Sequence, residues 1–526
     1  VSSDRSHALD HVVLVLFENR SLDNLLGHLY GPEHGKTFEG VIGKNLSNPI
    51  PEWAEHGAER KTVPYTVATD MDAPNPDSGE EYYHTNTQLY NTLDEHNRFK
   101  IGGAVTAPWN VPPPGTEPTM DGFVTDYISN FTGEVGRQPT YEEYAQIMTG
   151  YTPEQVPVLN GLARAFGVFD HWFSEVPSQT FMNRSFWTAG TSSGFLTNTP
   201  AKKWTTENTA ETIFNRLEAR GRSWKVYVAE PMQISFTGWI HMPQLKHRLA
   251  THFVPFSEFE RDAANGALPD FSLIEPNLIA GHGDYHPACG RSFIGGDVDV
   301  AVDPPSSILA GEDFLARLYK AIKAADSAEG SNAYNTTFFI GWDEPGGTYD
   351  HVPPGPAAPP DSGAPKGQCD FGFDQSGYRV PAIIVSPWVD EGIVINEEYR
   401  HTSLLATLRK VWDLGDPFTD RDAAARSFEH VLSRGIPRDP ASWPAMHARP
   451  LPDWQLTKIA YGEAISTLGK AIGPGFIEHA RQSGRTLPAE LTDPDHPPTP
   501  EQLVEFVRGI AATYFPGLVP SEAQDS

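Results

Sequence analysis

Three stretches of this chain bring together side chains able to bind a cation or attack an ester. The first is Glu18-Asn19-Arg20-Ser21, directly after the apolar run His11–Phe17. A carboxylate beside an amide oxygen offers hard-oxygen ligands suited to a divalent cation. The same residues would also serve as a polar strand-to-helix turn with Asp23 as a cap. The second stretch, Gly341-Trp342-Asp343-Glu344-Pro345-Gly346-Gly347-Thr348-Tyr349-Asp350-His351, again follows an apolar run, TTFFI. By itself it reads equally as a solvated acidic turn, but the repeated layout of strand then ligand pair favours the ligand reading. The third, Pro177-Ser178-Gln179-Thr180-Phe181-Met182-Asn183-Arg184, carries a Thr hydroxyl. That group is a poor nucleophile until a metal or base eases its deprotonation. Nothing in its local sequence compels the role, since a buried Thr is usually only a hydrogen-bonding residue.

Such groups need rigid elements to hold them. His11–Phe17, Trp224–Val228, Thr336–Trp342 and Val380–Val385 are short, β-branched or aromatic, and bounded by polar or turn residues, which predicts buried strands. Between them, Pro157–Phe166, Glu211–Arg220 and Phe314–Ala325 show helical spacing, with Gly221 as a C-cap. Strands separated by helices predict an α/β fold with a central, mainly parallel sheet covered by helices on both faces. In such sheets catalytic groups cluster at the carboxyl ends of the strands.

The stretch from about Gly35 to Pro118 is rich in Pro, Gly, Asn and Asp and shows little periodicity. It reads as long loops draped over the site, and Pro353–Gly367 as a second such loop. Beyond Leu414 the chain turns polar, with Asp453–Ile472 and Pro500–Tyr514 as the clearest helices. The expected organisation is one catalytic domain over residues 1–415, loop-rich at 35–118, and a helical C-terminal extension over 416–526.

The 526 residues carry 39 Lys and Arg against 68 Asp and Glu, a formal charge of −29. Such a surface repels nucleic acid and anionic membranes, so a phosphate-bearing substrate must meet a local positive site, which a bound metal would supply. Two cysteines, Cys289 and Cys369, exclude a disulfide scaffold and leave one bridge open. No run approaches a membrane span in length. The opening VSSDRSHALD has no leader, as in a secreted or periplasmic protein whose signal has been removed, and equally in a cytoplasmic one.

Two motifs compete with this reading. Gly190-Thr191-Ser192-Ser193-Gly194 fits the nucleophile elbow of serine hydrolases, with Ser192 as nucleophile, but lacks the strand before it and the helix after it. His282-Gly283-Asp284-Tyr285-His286 could clamp zinc, yet no fourth ligand is evident, which favours a loop histidine at a phosphate site.

Taken together, the motifs resemble the phosphoesterase family that includes bacterial and plant phosphatidylcholine-type phospholipases C and acid phosphatase A-like enzymes, within the alkaline phosphatase superfamily. The family's ENRSFD motif stands here as Glu18-Asn19-Arg20-Ser21-Leu22-Asp23. Its nucleophile motif, close to GPTxPNR, is matched at Thr180, Asn183 and Arg184, with its Gly-Pro and second Pro missing. Its DExGGxxDHVxPP motif matches nearly whole from Asp343 to Pro354. Further matches are Met120–Phe123, Ser272–Pro276, Asp284–Pro287, Arg379–Pro387 and His401-Thr402-Ser403, so that the likeness runs from about His11 to Leu414.

The resemblance implies an alkaline phosphatase-like core and a covalent phosphothreonine at Thr180. One divalent ion would be held by Glu18, Asn19, Thr180, Asp343 and Glu344. His286 and His351 would bind phosphoryl oxygens or protonate the leaving group, and Asn183, Arg184 and His84 would line the substrate site. A hard-oxygen set prefers Ca2+, with Mg2+ or Mn2+ as alternatives. The expected substrate is a phosphate ester, a phospholipid if the enzyme is phospholipase C-like. A broad acid phosphatase is the alternative, and a non-catalytic metal-binding protein the remote one. The sequence leaves the oligomeric state open.

Overall fold

A run such as HVVLVLF is stable as a strand only where both faces are covered, and that is where the chain places it. The structure, a computed structural model, describes residues 7–200, 202–229, 234–278, 283–287, 291–294, 298–301, 307–451, 509 and 512–518. Its central sheet contains β1 (His11–Phe17), β2 (Gly167–Phe169), β3 (Trp224–Val228), β4 (Phe253–Pro255), β5 (Phe271–Glu275), β6 (Thr336–Trp342), β7 (Ala382–Val385) and β8 (Ile393–Ile395). Their spatial order is β8-β2-β7-β6-β1-β5-β3-β4. Only β7 runs against its neighbours, β6 and β2; the remaining pairs are parallel. β1 lies between β6 and β5 and buries every residue but His11.

The expected mainly parallel α/β sheet is therefore present, with three of the four expected strands at the expected bounds. The fourth starts at Ala382 rather than Val380, because Pro381 has no N–H to give a ladder. Helices flank the sheet, among them α1 (Leu22–Leu26), α2 (Tyr82–Tyr90), α3 (Phe123–Val135), α4 (Pro157–Ala165), α5 (Thr180–Ala189), α6 (Ile213–Ala219), α7 (Ser307–Lys323) and α8 (Thr402–Trp412). The principal core joins β1, β3, β5, β6 and β7 to apolar residues of α4, α5, α7 and α8.

The stretch 35–118 is more ordered than a set of loops. Ser47–Pro49 pairs with Thr62–Pro64, and α2 packs against α3 over a second core that includes Leu89, Phe123, Tyr127 and Tyr349. Sequence periodicity misses α2 because its residues, YYHTNTQLY, are buried along almost its whole length, the polar ones included. Tertiary contact, not an amphipathic stripe, holds this helix. The aromatics of the cover pin it down: Tyr65 packs on Tyr349, Trp53 on Phe99 and Tyr82 on Phe371.

Residues 416–451 form a short helix, Asp420–Ala424, and single turns at Glu429–Val431 and Pro440–Ser442. Phe428, Leu432 and Trp443 bury in the principal core. The expected helix Asp453–Ile472, and Pro500–Tyr514 apart from residues 509 and 512–514, lie outside the described residues. Cys369 is a free thiol, and Cys289 lies outside the described residues. Among the described residues no helix is long and apolar enough to cross a membrane.

Candidate active site

Strand register brings the two acidic motifs together. β1 and β6 are parallel, with Phe17 opposite Trp342, and the Asp343 amide donates to Phe17 O at 3.1 Å. Glu18-Asn19 and Asp343-Glu344 follow directly, at the carboxyl ends of the two strands. All four side chains are buried. His401 fixes the main chain here: its Nδ1 accepts from Trp172 Nε1 at 3.1 Å, so its Nε2 donates to Asp343 O at 2.6 Å. Burial pushes this imidazole down to about 4, and it stays neutral in that role.

Helix α5 brings the third motif. Gln179 is its N-cap residue and Thr180 its first residue. Thr180 Oγ1 donates to Glu18 Oε2 at 3.4 Å. One turn on, Arg184 lies between the acids, 2.6 Å from Glu18 and 3.0 Å from Asp343. Burial opposes its charge, but Glu18 and Asp343 prevail and raise its pKa. Its Nη1 has no hydrogen-bond partner. The hydroxyl thus sits at the positive end of a ten-residue helix, where a phosphoryl group is stabilised.

Asn19 joins this group to a second cluster. It adopts a left-handed φ of 54°, uncommon for a residue with a side chain. Its Nδ2 donates to Glu80 Oε2 at 2.5 Å and to His286 Nε2 at 3.0 Å. Gln179 Nε2, from the N-cap of α5, also reaches Glu80, at 3.2 Å. Asp77 Oδ2 lies 3.6 Å from His286 Nε2. Glu80 and Asp77 were absent from the expected site, although the acids of Asp77-Ser78-Gly79-Glu80-Glu81, set behind two prolines, were a visible signal.

Burial raises the carboxyl pKa values of Glu18, Glu344 and Asp343, and the first two are raised further by neighbouring acids. Glu80 is raised by burial and then by Glu81. Such a concentration of buried acids is costly without countercharge. Asn19 Oδ1 and Glu344 Oε1 are buried with no hydrogen-bond partner. Orphaned oxygens at the two strand ends fit the expected hard-oxygen cation, with Glu18 and Asp343 completing the donors.

Three expected site residues are engaged elsewhere. Asn183 Oδ1 accepts from the amides of Glu175 and Val176, and its Nδ2 donates to the carbonyls of Val176, Ser178 and Gln179. With its polar atoms engaged in that turn, Asn183 fixes the chain that leads into Thr180. His84 pairs with Asp126 at 2.7 Å, and its ring packs over Gly79, where a Cβ would come within 2.3 Å of it. It therefore holds the segment carrying Glu80. His351 gives its ring nitrogens to Asp23 at 2.5 Å and Glu39 at 3.0 Å. Asp23 and Asp350 are bridged by Arg379, at 2.9 and 3.0 Å. His351 thus belongs to a separate ion-pair network and does not join Thr180. His286, by contrast, is brought to Asn19. Ser192 follows α5 rather than a strand, and its Oγ donates to Phe195 O, so it has no elbow geometry.

In the comparison with known families, the model of the Phosphoesterase family matches residues 9–415. The chain belongs to that family. As a phosphoesterase it is a hydrolase of phosphoric esters. It is 29% identical to non-specific phospholipase C6 of Arabidopsis thaliana over 96% of this chain and 86% of that protein. Non-specific phospholipase C1 of the same plant is 29% identical over 81% of this chain and 72% of its own length. Phospholipase C B of Mycobacterium tuberculosis is 22% identical over 84% and 81%. Among solved structures, this phosphoesterase is similar to an alkaline phosphatase superfamily protein from Vibrio parahaemolyticus, with 13% identity and a TM-score of 0.30, covering 76% of this chain and 98% of that one.

Proposed function

We propose that this phosphoesterase cleaves phospholipids as a phospholipase C does, through a covalent phosphothreonine at Thr180. The observation that carries the reading is Thr180, at the N-terminus of α5, donating to Glu18 while Glu18-Asn19 and Asp343-Glu344 directly follow the paired strand ends Phe17 and Trp342. Glu18, Asn19, Asp343 and Glu344 would hold a divalent ion, Ca2+ by their hard-oxygen character, with Mg2+ or Mn2+ as alternatives. Bound there, the ion supplies charge compensation for the Thr180 oxygen and for the phosphoryl oxygens.

The protein's own part is positioning. Thr180 Oγ would bond to phosphorus as the bond to the diacylglycerol oxygen breaks, its hydroxyl proton passing to Glu18 Oε2 and from there to the departing oxygen. Water would then attack the same phosphorus and break its bond to Thr180 Oγ, one water proton returning through Glu18 to Thr180, which restores the hydroxyl and releases the phosphorylated head group. Arg184 keeps Glu18 and Asp343 in place, and its Nη1 is buried without a hydrogen-bond partner. The lipid substrate is supported by the relatives' names, since the cover aromatics serve packing. Steady-state kinetics tests it: kcat/KM for phosphatidylcholine should exceed that for p-nitrophenyl phosphate. The reverse order rejects the lipase and leaves a phosphomonoesterase.

A further inference from the structure

We infer that Asn198 is a further catalytic residue, whose side-chain Nδ2 donates to a phosphoryl oxygen of the ester bound at Thr180. The inference rests on the phosphothreonine reading above for what it binds, but not for its own placing. Asn198 touches the residues on either side of Thr180. Its backbone N–H donates to Gln179 Oε1 at 3.0 Å, and its Oδ1 accepts from the Phe181 amide at 2.9 Å. The loop that carries it is thus folded against the first turn of α5.

The Phe181 contact fixes which way the carboxamide faces. A backbone N–H only donates, so the atom that meets it is the oxygen, and the NH2 group takes the other position. That nitrogen is buried without a hydrogen-bond partner, in a residue only 1% exposed. A buried donor is costly to leave unpaired. This one stands at the N-terminus of a ten-residue helix, the end that favours an anion. An ester phosphate seated for attack by Thr180 brings acceptor oxygens to that same end.

The donor is also held in place. Trp204 Nε1 donates to Asn198 O at 3.1 Å, and the Trp204 ring meets Phe181 edge-on with centroids 5.8 Å apart. On the residues before it, Ser178 Oγ donates to Leu196 O at 2.8 Å and Lys203 Nζ to Thr197 Oγ1 at 2.9 Å. Charge spreads over the equatorial phosphoryl oxygens in the transition state. A donor fixed beforehand stabilises that charge without having to reorganise.

Asn198→Asp separates the donor from the cap. Its carboxylate keeps an acceptor for the Phe181 amide and suits a helix N-terminus, so the fold should hold, but it has no N–H and repels phosphate. Asn198→Ser is the second variant and removes the amide donor without adding charge. On the full chain, quenched single turnovers with phosphorus-labelled substrate give the rate of labelling at Thr180. Titration with inorganic orthovanadate gives affinity without turnover, and thermal melting reports folding. Labelling should slow ~10²-fold or more in Asn198→Asp and ~10-fold or more in Asn198→Ser, with vanadate binding weakened ~10-fold or more in both. The melting temperature of Asn198→Asp should stay near that of the parent. A residue that only caps α5 would leave Asn198→Asp near the parent in both readouts, and values within ~3-fold in the folded variant overturn the proposal. A parent chain that takes no label refutes the phosphothreonine reading, and the vanadate affinities then decide for or against Asn198 by themselves.

Discussion

Gly346 lies so close to Asn19 that a Cβ at position 346 would come within 2.3 Å of the Asn19 Cβ. Its φ of 59° is also left-handed, a region that side chains enter at a cost. The glycine-rich turn after β6 is thus the surface against which Asn19 is set. Gly346→Ala should displace Asn19, lower divalent-cation affinity at least ~10-fold and cost about 1–3 kcal/mol of stability. Calorimetric titration and thermal melting check both. An alanine variant with unchanged affinity would detach this turn from the site.

Thr180→Ala should leave the fold intact and reduce turnover by ~10³-fold or more, as expected when a covalent nucleophile is removed. Quenched single turnovers with phosphorus-labelled substrate should trap label on the parent chain at Thr180 and none on the variant. Activity within ~10-fold of the parent would sink the assignment.

Much of this site can be read from sequence because it lies at strand ends. HVVLVLF and TTFFIGW are long apolar runs whose last residues fix where Glu18 and Asp343 emerge. The strands that sequence reading missed, such as Gly167–Phe169 and Ile393–Ile395, have three residues each, too few to show a pattern. Glu80 is not legible in the sequence because its contact is with Asn19, 61 positions away. His351 was drawn into the site by adjacency to the Asp343 motif. In the fold, Asp23 and Glu39 hold its ring, and Arg379 ties Asp23 to Asp350.

Arg184 offsets two buried acids at once, so removing it leaves both uncompensated. Arg184→Met should cost about 3–5 kcal/mol in metal-free protein. Saturating divalent cation should recover part of that loss, because an ion bound only by the native state stabilises it by mass action. Chemical denaturation with and without cation measures the difference. A deficit that cation does not change would show that Arg184 and the ion do not serve the same carboxylates.

The His84–Asp126 pair makes stability depend on pH in a defined window. Burial disfavours the imidazolium, but Asp126 at 2.7 Å overrides it, with Glu81 at 3.6 Å assisting, and the pKa rises to about 9. The unfolded chain titrates His84 near ~6.5, so the folded state binds the proton more tightly. The resulting stability is complete below pH ~6.5 and is lost as pH climbs through about 9. Melting temperature should therefore fall over that interval in the parent, and more gently in His84→Gln, which has no proton to lose. Because His84 packs over Gly79, the same loss should loosen the Asp77–Glu80 segment. Amide exchange there should quicken from pH 7 to pH 9.5 beyond the intrinsic rise. Parallel melting curves for parent and variant across the interval would remove the pair from the account of stability.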